Sequence, residues 1–494
     1  MLVQDFLHAS VARRPGKVAL VCGAHRYTYA QIEDMANRLA HALCQGGVQR
    51  GDRVGVCLPN DWGAVISIFA ILKAGAVFVP INPGVKPDKL QYILNNCRAA
   101  AVILDDRPSS WRCVLRYRDF PDIEREFPPE RPPAVNIDLD LACLIYTSGS
   151  TGEPKGVMCD HSNVTFAASS IIQYLGNTEN DIIINTLPLS FDYGLYQLLM
   201  TFKFGGTLVL ENSFAFPSTV LKRMEHEGVT GFPGVPTTFG LMLQTDLPSY
   251  DLSNLRYLTN TGAALPPTHI ERLRRAFPQA SLYSMYGLTE TKRTLYLPPD
   301  QLHKHSGSVG IAIPGTEVWI EDENGHRLGP DQVGELVVRG RHVMRGYWEA
   351  PEETAKCFRL GPIPGERLCY SGDLFRMDAD GYMYFVGRKD DIIKCRGEKV
   401  APKEVENVLY RLPGVLEAAV VGTPDPICGH AIKAIIVPKN RELTRQMVLA
   451  HCAAHLENFM VPKYIEFRPE LPKTFSGKIN KTELTQQCAA LSAS

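Results

Sequence analysis

The chain has 494 residues, 45% of them hydrophobic and 21% charged, and its 52 Lys and Arg against 53 Asp and Glu leave a formal charge of −1. It is too long for one ordinary core and ordinary in composition for a soluble globular protein, so two or more domains are expected. The balanced charge leaves no electrostatic footprint for nucleic acid, and no apolar run is long enough to span a bilayer. The N-terminus carries Asp5 early and has no basic segment before a long apolar one, so no signal peptide is read there. Thirteen cysteines run from Cys22 to Cys488 without a CxxC pair, and no histidines fall at zinc spacing, so reduced thiols in a cytoplasmic protein are expected.

Residues 27–45 place apolar side chains at helical spacing, and 53–59 read as a short buried strand. Residues 65–83 read as helix, glycine break, strand and a proline-punctuated turn, and 99–106 as another apolar strand. The alternation recurs at 181–189, 205–211 and 281–287, which predicts parallel-rich sheets covered by helices. Beyond about residue 310 the texture changes: 318–340 reads as strand, Glu-Asn-Gly turn, strand, and 378–391 as a second hairpin-like stretch, which predicts a β-barrel-like part. From 402 a helix, a strand and a further strand at 430–439 form a small α+β module. The predicted fold is α/β, with a large domain over 1–389 and a small mobile domain over 390–494.

The most informative stretch is YTSGSTGEPKG, residues 146–156. Glycines let backbone N–H groups approach an anion closely, hydroxyls add donors and Lys155 adds charge. The stretch follows an apolar strand, where α/β folds bind ligands, and it does not satisfy the Walker A spacing. This loop resembles the phosphate loop of the adenylate-forming enzymes: acyl-CoA synthetases, amino-acid adenylation domains of nonribosomal peptide synthesis, and luciferases. Further motifs follow in that family's order along nearly the whole chain: LKAGAVFVPINP (72–83), YGLTET (286–291), GELVVRG (334–340), YSGDL (370–374), GRKDD (387–391) and SGKIN (476–480).

The resemblance implies that a carboxylic acid reacts with ATP to give an acyl adenylate and pyrophosphate, with Mg²⁺ as the metal. It implies phosphate contacts from Thr147, Ser148, Gly149, Ser150, Thr151, Gly152 and Lys155, and nucleotide contacts from Gly262, Ala263, Ala264, Tyr286, Gly287, Asp373 and Arg388. Tyr286 would stack on adenine and Asp373 would accept the ribose hydroxyls. Thr289 would contact the α-phosphate and Glu290 would bind Mg²⁺, for which hard oxygen ligands are suited. Lys478 is the implied catalytic residue: its ammonium would cancel the repulsion between carboxylate and phosphate. Asp390 falls at the family's hinge, about which the small domain would turn to bring Arg396 and Gly397 in for thioester formation.

The acid is read from LPLSFDYGL, residues 187–195. Phe191 and Asp192 resemble the Phe-Asp pair of amino-acid adenylation domains, whose Asp meets a substrate ammonium. The expected reading is therefore a free-standing enzyme that activates a small amino acid such as L-proline and loads a carrier protein. The alternative is an acyl- or aryl-CoA synthetase. Lys292 and Arg293 stand just beyond the metal motif, and Arg293 is the expected internal partner of Asp192 should no substrate amine meet it. The other expected pocket walls are Tyr193, Tyr196, Phe232, Gly234, Thr259, Thr261, Met285 and Arg293, and the two tyrosines favour a compact acid.

Overall fold

The computed structural model describes the chain except residues 106–113, 149–153, 396–397, 426–428, 441, 475–477 and 493–494. Two large sheets, one antiparallel sheet and a C-terminal sheet account for the described strands. The six-stranded sheet runs, in spatial order, Val114–Arg116, Ala99–Leu104, Arg53–Cys57, Val77–Pro80, Leu141–Ser148 and Pro154–Asp160. It is parallel except for its last pair, which forms a hairpin with Thr147 opposite Lys155.

The nine-stranded sheet has a parallel centre: Ser281–Tyr286, Tyr257–Asn260, Gly231–Gly234, Ile182–Asn185, Thr207–Leu210 and Val18–Cys22. Antiparallel strands close both edges. Because four neighbouring strands run the same way, the segments leaving their C-terminal ends, 186–192, 235, 261–264 and 287–293, gather along one rim. Ligands bind at such a rim in open α/β sheets.

The helices are specified locally and held by packing. Tyr29–Gln45 starts at a capping box, in which Thr28 accepts from the Gln31 N–H and the Gln31 side chain accepts from the Thr28 N–H. Trp62–Lys73 starts at Asp61, whose carboxylate accepts from Gly63 N at 2.7 Å, three residues before the expected start. Apolar nearly all round, it is buried throughout after its first residue. Its Phe69 stacks on Phe202 of the helix Asp192–Phe204 with centroids 5.1 Å apart, so this core directly braces the helix that opens at Asp192. Lys73 survives there by pairing with Glu33 at 2.7 Å.

The expected β-rich part is a five-stranded antiparallel sheet in which Thr316–Glu321, Val333–Gly340, Arg367–Met377 and Phe358–Leu360 are neighbours and Met383–Arg388 pairs with Arg367–Met377. The second hairpin is larger than the sequence suggested. It begins at Arg367 and turns at 378–381, so Asp373 lies in a strand and not in a turn. C-terminal to it, Val415–Asp425, Gly429–Pro438, Ile393–Cys395, Glu398–Val400 and Tyr464–Phe467 form a separate sheet carrying the helices Pro402–Arg411 and Arg445–His455, with its own core around Val405, Leu409, Val420 and Ile436.

Candidate active site

Two groups of side chains meet at the rim. The first surrounds the hairpin Leu141–Ser148/Pro154–Asp160, whose two strands end on either side of the glycine-rich loop. Gly149, Ser150, Thr151 and Gly152 lie outside the described residues, as do Arg396 and Gly397. The first strand ends at Ser148, and Thr147 before it is partly exposed. Lys155, opposite Thr147, forms an ion pair with Glu353, and its ammonium stands 5.7 Å from the centroid of the Tyr347 ring. Two donors on that carboxylate, Lys155 and Lys356, hold the Glu353 carboxyl down at about 2. The Tyr347 hydroxyl donates to Glu290 Oε1 at 2.7 Å. Lys155, Tyr347 and Glu290 thus form one connected edge, with Thr289 beside it.

Across this edge, Asp373 and Arg388 are register partners on adjacent strands, and Arg388 Nε donates to Asp373 Oδ1 at 3.2 Å. Tyr286 donates its hydroxyl to Asp373 Oδ2 at 2.6 Å and packs edge-on against Phe375. Burial pushes the Asp373 carboxyl up, against the pull of Arg388. Each oxygen of Asp373 carries one donor here and keeps a lone pair for another, as a vicinal diol requires.

Among the described residues no group of three or more His, Cys, Asp or Glu is arranged to hold a metal ion. Mg²⁺ needs no such cage: it is commonly held by one or two carboxylates together with substrate phosphates. Glu290 fits that pattern, because Tyr347 orients one oxygen and the other has no hydrogen-bond partner among the described residues.

The second group lines the acid side. Asp192 opens the helix Asp192–Phe204, with Phe191 at its N-cap, and is 7% exposed. A carboxylate in the first turn is favoured by the helix dipole, which offsets part of its burial. No hydrogen bond or ion pair of Asp192 is found among the described residues, and its charge bears on two cations, Lys478 and Lys292. Arg293 is not its partner, contrary to the expectation: the guanidinium is taken up by the Tyr193 ring, 4.5 Å from its centroid.

Tyr193 donates to the Thr259 carbonyl at 2.8 Å, and its hydroxyl also lies 2.6 Å from Thr259 Oγ1. Leu187, Tyr193, Val235 and Met285 form a small apolar cluster with Tyr174, Phe191, Tyr283 and Tyr296 packed against it. Met285 Sδ accepts from the Tyr174 hydroxyl at 2.9 Å. Thr261 and Tyr196 are also buried here, and their hydroxyls have no partner among the described residues.

Two expected pocket walls belong elsewhere. Phe232 is wholly buried between Phe214 and Phe239 in a different core, and a Cβ on Gly234 would stand 2.8 Å from the Phe239 ring. Successive residues of a strand face opposite sides, so the rim residue of this strand is Val235, one position on.

Lys478 joins the two groups. Gly262, at φ +87°, permits a close approach: a Cβ there would stand 3.0 Å from Lys478 Cε and 3.6 Å from Val235 Cγ1. The Lys478 ammonium lies 5.5 Å from the Phe191 ring centroid. Burial pushes the Lys478 ammonium below the usual lysine value, and Asp192 is the strongest influence holding it up. Ala263 and Ala264 are exposed beside it, and the Ala263 carbonyl accepts from Asn260 Nδ2 at 3.0 Å.

Sequence reasoning missed three contributors. Val235 follows from the period of two only once the structure shows which face of its strand meets the rim. Tyr174 comes from a helix more than 100 residues before Met285 and carries no local signal. Lys292 was read only as a charge near the metal motif, yet it is 2% exposed, with φ +58°. The turn after Tyr286 explains why: a Cβ on Gly287 would stand 1.8 Å from the Lys292 carbonyl oxygen, so the loop folds back tightly there.

The profile of the AMP-binding enzyme family matches residues 7–348, and that of the AMP-binding enzyme C-terminal domain matches residues 404–478. A feruloyl-CoA synthase of an Amycolatopsis species is 36% identical over 484 residues, covering 96% of each chain. A long-chain-fatty-acid–CoA ligase of Escherichia coli O157:H7 is 30% identical over 534 residues, covering 98% of this chain and 94% of its own. Among solved structures, an anthranilate CoA ligase in complex with anthranoyl-AMP superposes with a TM-score of 0.92 at 29% identity, covering 100% of this chain and 98% of that one. With profile matches at both ends and full-length relatives, the chain belongs to the AMP-binding enzyme family, the ATP-dependent, AMP-forming ligases that activate a carboxylic acid as its adenylate.

Proposed function

We propose that the protein converts a non-amino carboxylic acid to its CoA thioester through an acyl adenylate. The observation that carries this choice is the surroundings of Asp192. With Lys292 and Lys478 already bearing on it, a substrate ammonium would be a third cation in a water-poor pocket. The CoA-ligase names of the relatives support the same acceptor. The amino acid and carrier protein expected from the Phe-Asp pair have no comparable support.

In the first step a carboxylate oxygen of the acid attacks the α-phosphorus of ATP, and the bond to pyrophosphate breaks. Lys478 neutralises both reacting anions and orients the nucleophile. Lys155 leaves Glu353 for the β- and γ-phosphates, with Thr147, Ser148, Gly149, Ser150, Thr151 and Gly152 supplying donors. Asp373 accepts the ribose hydroxyls, Arg388 supports it, Tyr286 and residues Gly262–Ala264 border the nucleoside, and Thr289 contacts the α-phosphate. Glu290 would hold Mg²⁺, which supplies charge neutralisation on the phosphate oxygens when bound. In the second step the small domain, 390–494, turns about Asp390 to exchange Lys478 for the 394–402 segment. The CoA thiol, losing its proton, then displaces AMP from the acyl carbon.

ATP–pyrophosphate exchange with a panel of amino acids and of aliphatic and aromatic acids, followed by CoA-thioester detection, tests the proposal. Exchange with plain acids and CoA-dependent release of AMP are expected. Exchange with amino acids alone, and transfer to a pantetheinylated carrier but not to CoA, would overturn it.

A further inference from the structure

Lys155, the lysine proposed for the outer phosphates, already has a partner. Its ammonium forms an ion pair with Glu353 Oε2, and the other oxygen of that carboxylate accepts from Lys356 Nζ at 2.6 Å. Lys155 and Glu353 stand 198 residues apart in the sequence, so the fold makes this contact and local chain geometry does not.

Both ends of the pair are anchored. Lys155 is the second residue of the strand Pro154–Asp160, and Glu353 lies in the first turn of the helix Pro351–Cys357. The segment leading into that helix is pinned to the same strand: Met158 N donates to the Gly346 carbonyl at 2.9 Å, and Trp348 N donates to the Gly156 carbonyl at 2.7 Å. The helix is tied to the segment in turn, because Thr354 Oγ1 accepts from Tyr347 N at 2.9 Å and donates to the Ala350 carbonyl at 2.8 Å. A Cβ on Gly346 would stand 2.4 Å from Thr354 Cγ2, so the two pieces pack without slack. The backbone under Glu353 therefore stays in place when the lysine side chain swings to another anion.

The electrostatics favour an exchange of partners. Two ammoniums hold the Glu353 carboxyl down at about 2, so it carries a full negative charge at neutral pH. A lysine ammonium is a point charge on a flexible stem and takes a carboxylate or a phosphate with little geometric demand. A triphosphate brings more charge and more acceptor oxygens than one carboxylate and can take the ammonium, but the broken ion pair is subtracted from its affinity. Lys356 remains with Glu353 after the exchange, so the carboxylate is not left unpaired. AMP has neither the β- nor the γ-phosphate and does not meet this competition.

We infer that Glu353 stands in for the outer phosphates of the nucleotide: it holds Lys155 until a phosphate takes it, and it competes with ATP and pyrophosphate, but not with AMP, for that ammonium. The inference rests on the adenylation reading above and adds how the affinity for ATP and for pyrophosphate is set.

The test titrates the purified full-length enzyme calorimetrically with ATP, pyrophosphate and AMP, each with Mg²⁺ and without an acid. The side chains of Lys155 and Glu353 are 16% and 27% exposed, and a partly exposed ion pair amounts to about two- to fivefold in an equilibrium constant. Glu353→Gln is therefore expected to lower the Kd of ATP and of pyrophosphate by about two- to fivefold and to leave that of AMP unchanged. Glu352→Gln, which removes an exposed carboxylate from the same helix turn, should leave all three unchanged. In Lys155→Gln the effect of Glu353→Gln should vanish, since the two residues act as one pair. The fitted stoichiometry reports the folded fraction of each variant, so a Kd does not depend on it. An ATP affinity unchanged or weakened by Glu353→Gln, an equal gain for AMP, or a gain that persists without Lys155 would overturn the inference while leaving adenylation intact. Pyrophosphate exchange with no acid at all would overturn the adenylation reading itself, and the inference with it.

Discussion

Lys478 is the proposed catalytic residue, and its setting predicts how the rate depends on pH. Burial lowers its pKa from the ordinary 10.5, and Asp192 is the strongest neighbour opposing that fall. The step needs the charged ammonium, so activity is present below the folded pKa and is lost as pH rises through it. The alkaline limb of the adenylation profile is therefore expected below 10.5. Asp192→Asn removes the opposing carboxylate and should move that limb to lower pH. Lys478→Arg, whose guanidinium does not titrate in this range, should lack it even where its rate is low. Rate–pH profiles of pyrophosphate exchange for the three proteins check this, and an alkaline limb unmoved by Asp192→Asn would contradict it. The same residues show how far local sequence reaches. Motif order alone marked Lys478, and the structure brings it from the end of the chain to Gly262 and Phe191. The partnership between Asp192 and Arg293 failed because an arginine stacks as readily as it pairs, and the Tyr193 ring took it.

At the scale of elements, most of the fold was legible because period and punctuation agree. The helix expected over 27–45 forms as Tyr29–Gln45 behind a Thr28 cap, and the strands at 53–59, 99–106, 205–211 and 281–287 form within one or two residues of those bounds, apart from early ends. What was not legible was phase. The short apolar strand Gly231–Gly234 is buried on both faces, so nothing in its sequence says which face meets the rim. A substitution pair separates the two faces. Phe232→Ala opens a cavity in the core shared with Phe214 and Phe239 and should cost about 3–5 kcal/mol of stability. Among molecules still folded, its KM for the acid should stay near wild type. Val235→Phe should do the reverse, crowding the space between Tyr193, Met285 and Lys478 and raising the acid KM with a smaller change in unfolding midpoint. Chemical denaturation together with acid titrations distinguishes them, and a swap of these two phenotypes would place the rim on the wrong face of the strand.

At the scale of the whole molecule, the proposed function asks one rim to serve two reactions, with the C-terminal sheet selecting between them. Lys478 is seated against Gly262 and Phe191, and Lys403, Tyr410 and Arg411 line a cleft with residues 264–268, so the side chains assembled at the rim are those proposed for the first step. The proposed second step requires Lys478 to leave. Asp390 is exposed in the turn that follows Met383–Arg388, where the chain passes from the antiparallel sheet to the C-terminal one. A turn can absorb a change of backbone angle that a strand cannot, and proline removes that freedom by fixing φ near −65°. Asp390→Pro should therefore preserve pyrophosphate exchange to within a few-fold and slow CoA-thioester formation by roughly tenfold or more, because the effect falls on a domain motion and not on the reacting groups. Lys478→Ala should give the opposite pattern: exchange reduced on the order of 10²–10³-fold or more, with thioester formation from supplied acyl adenylate retained. Rapid-quench measurement of each half-reaction in both variants reads the pattern directly. Equal loss of both steps in either variant would mean that a single arrangement of the two sheets performs both, and would remove the need for a hinge at Asp390.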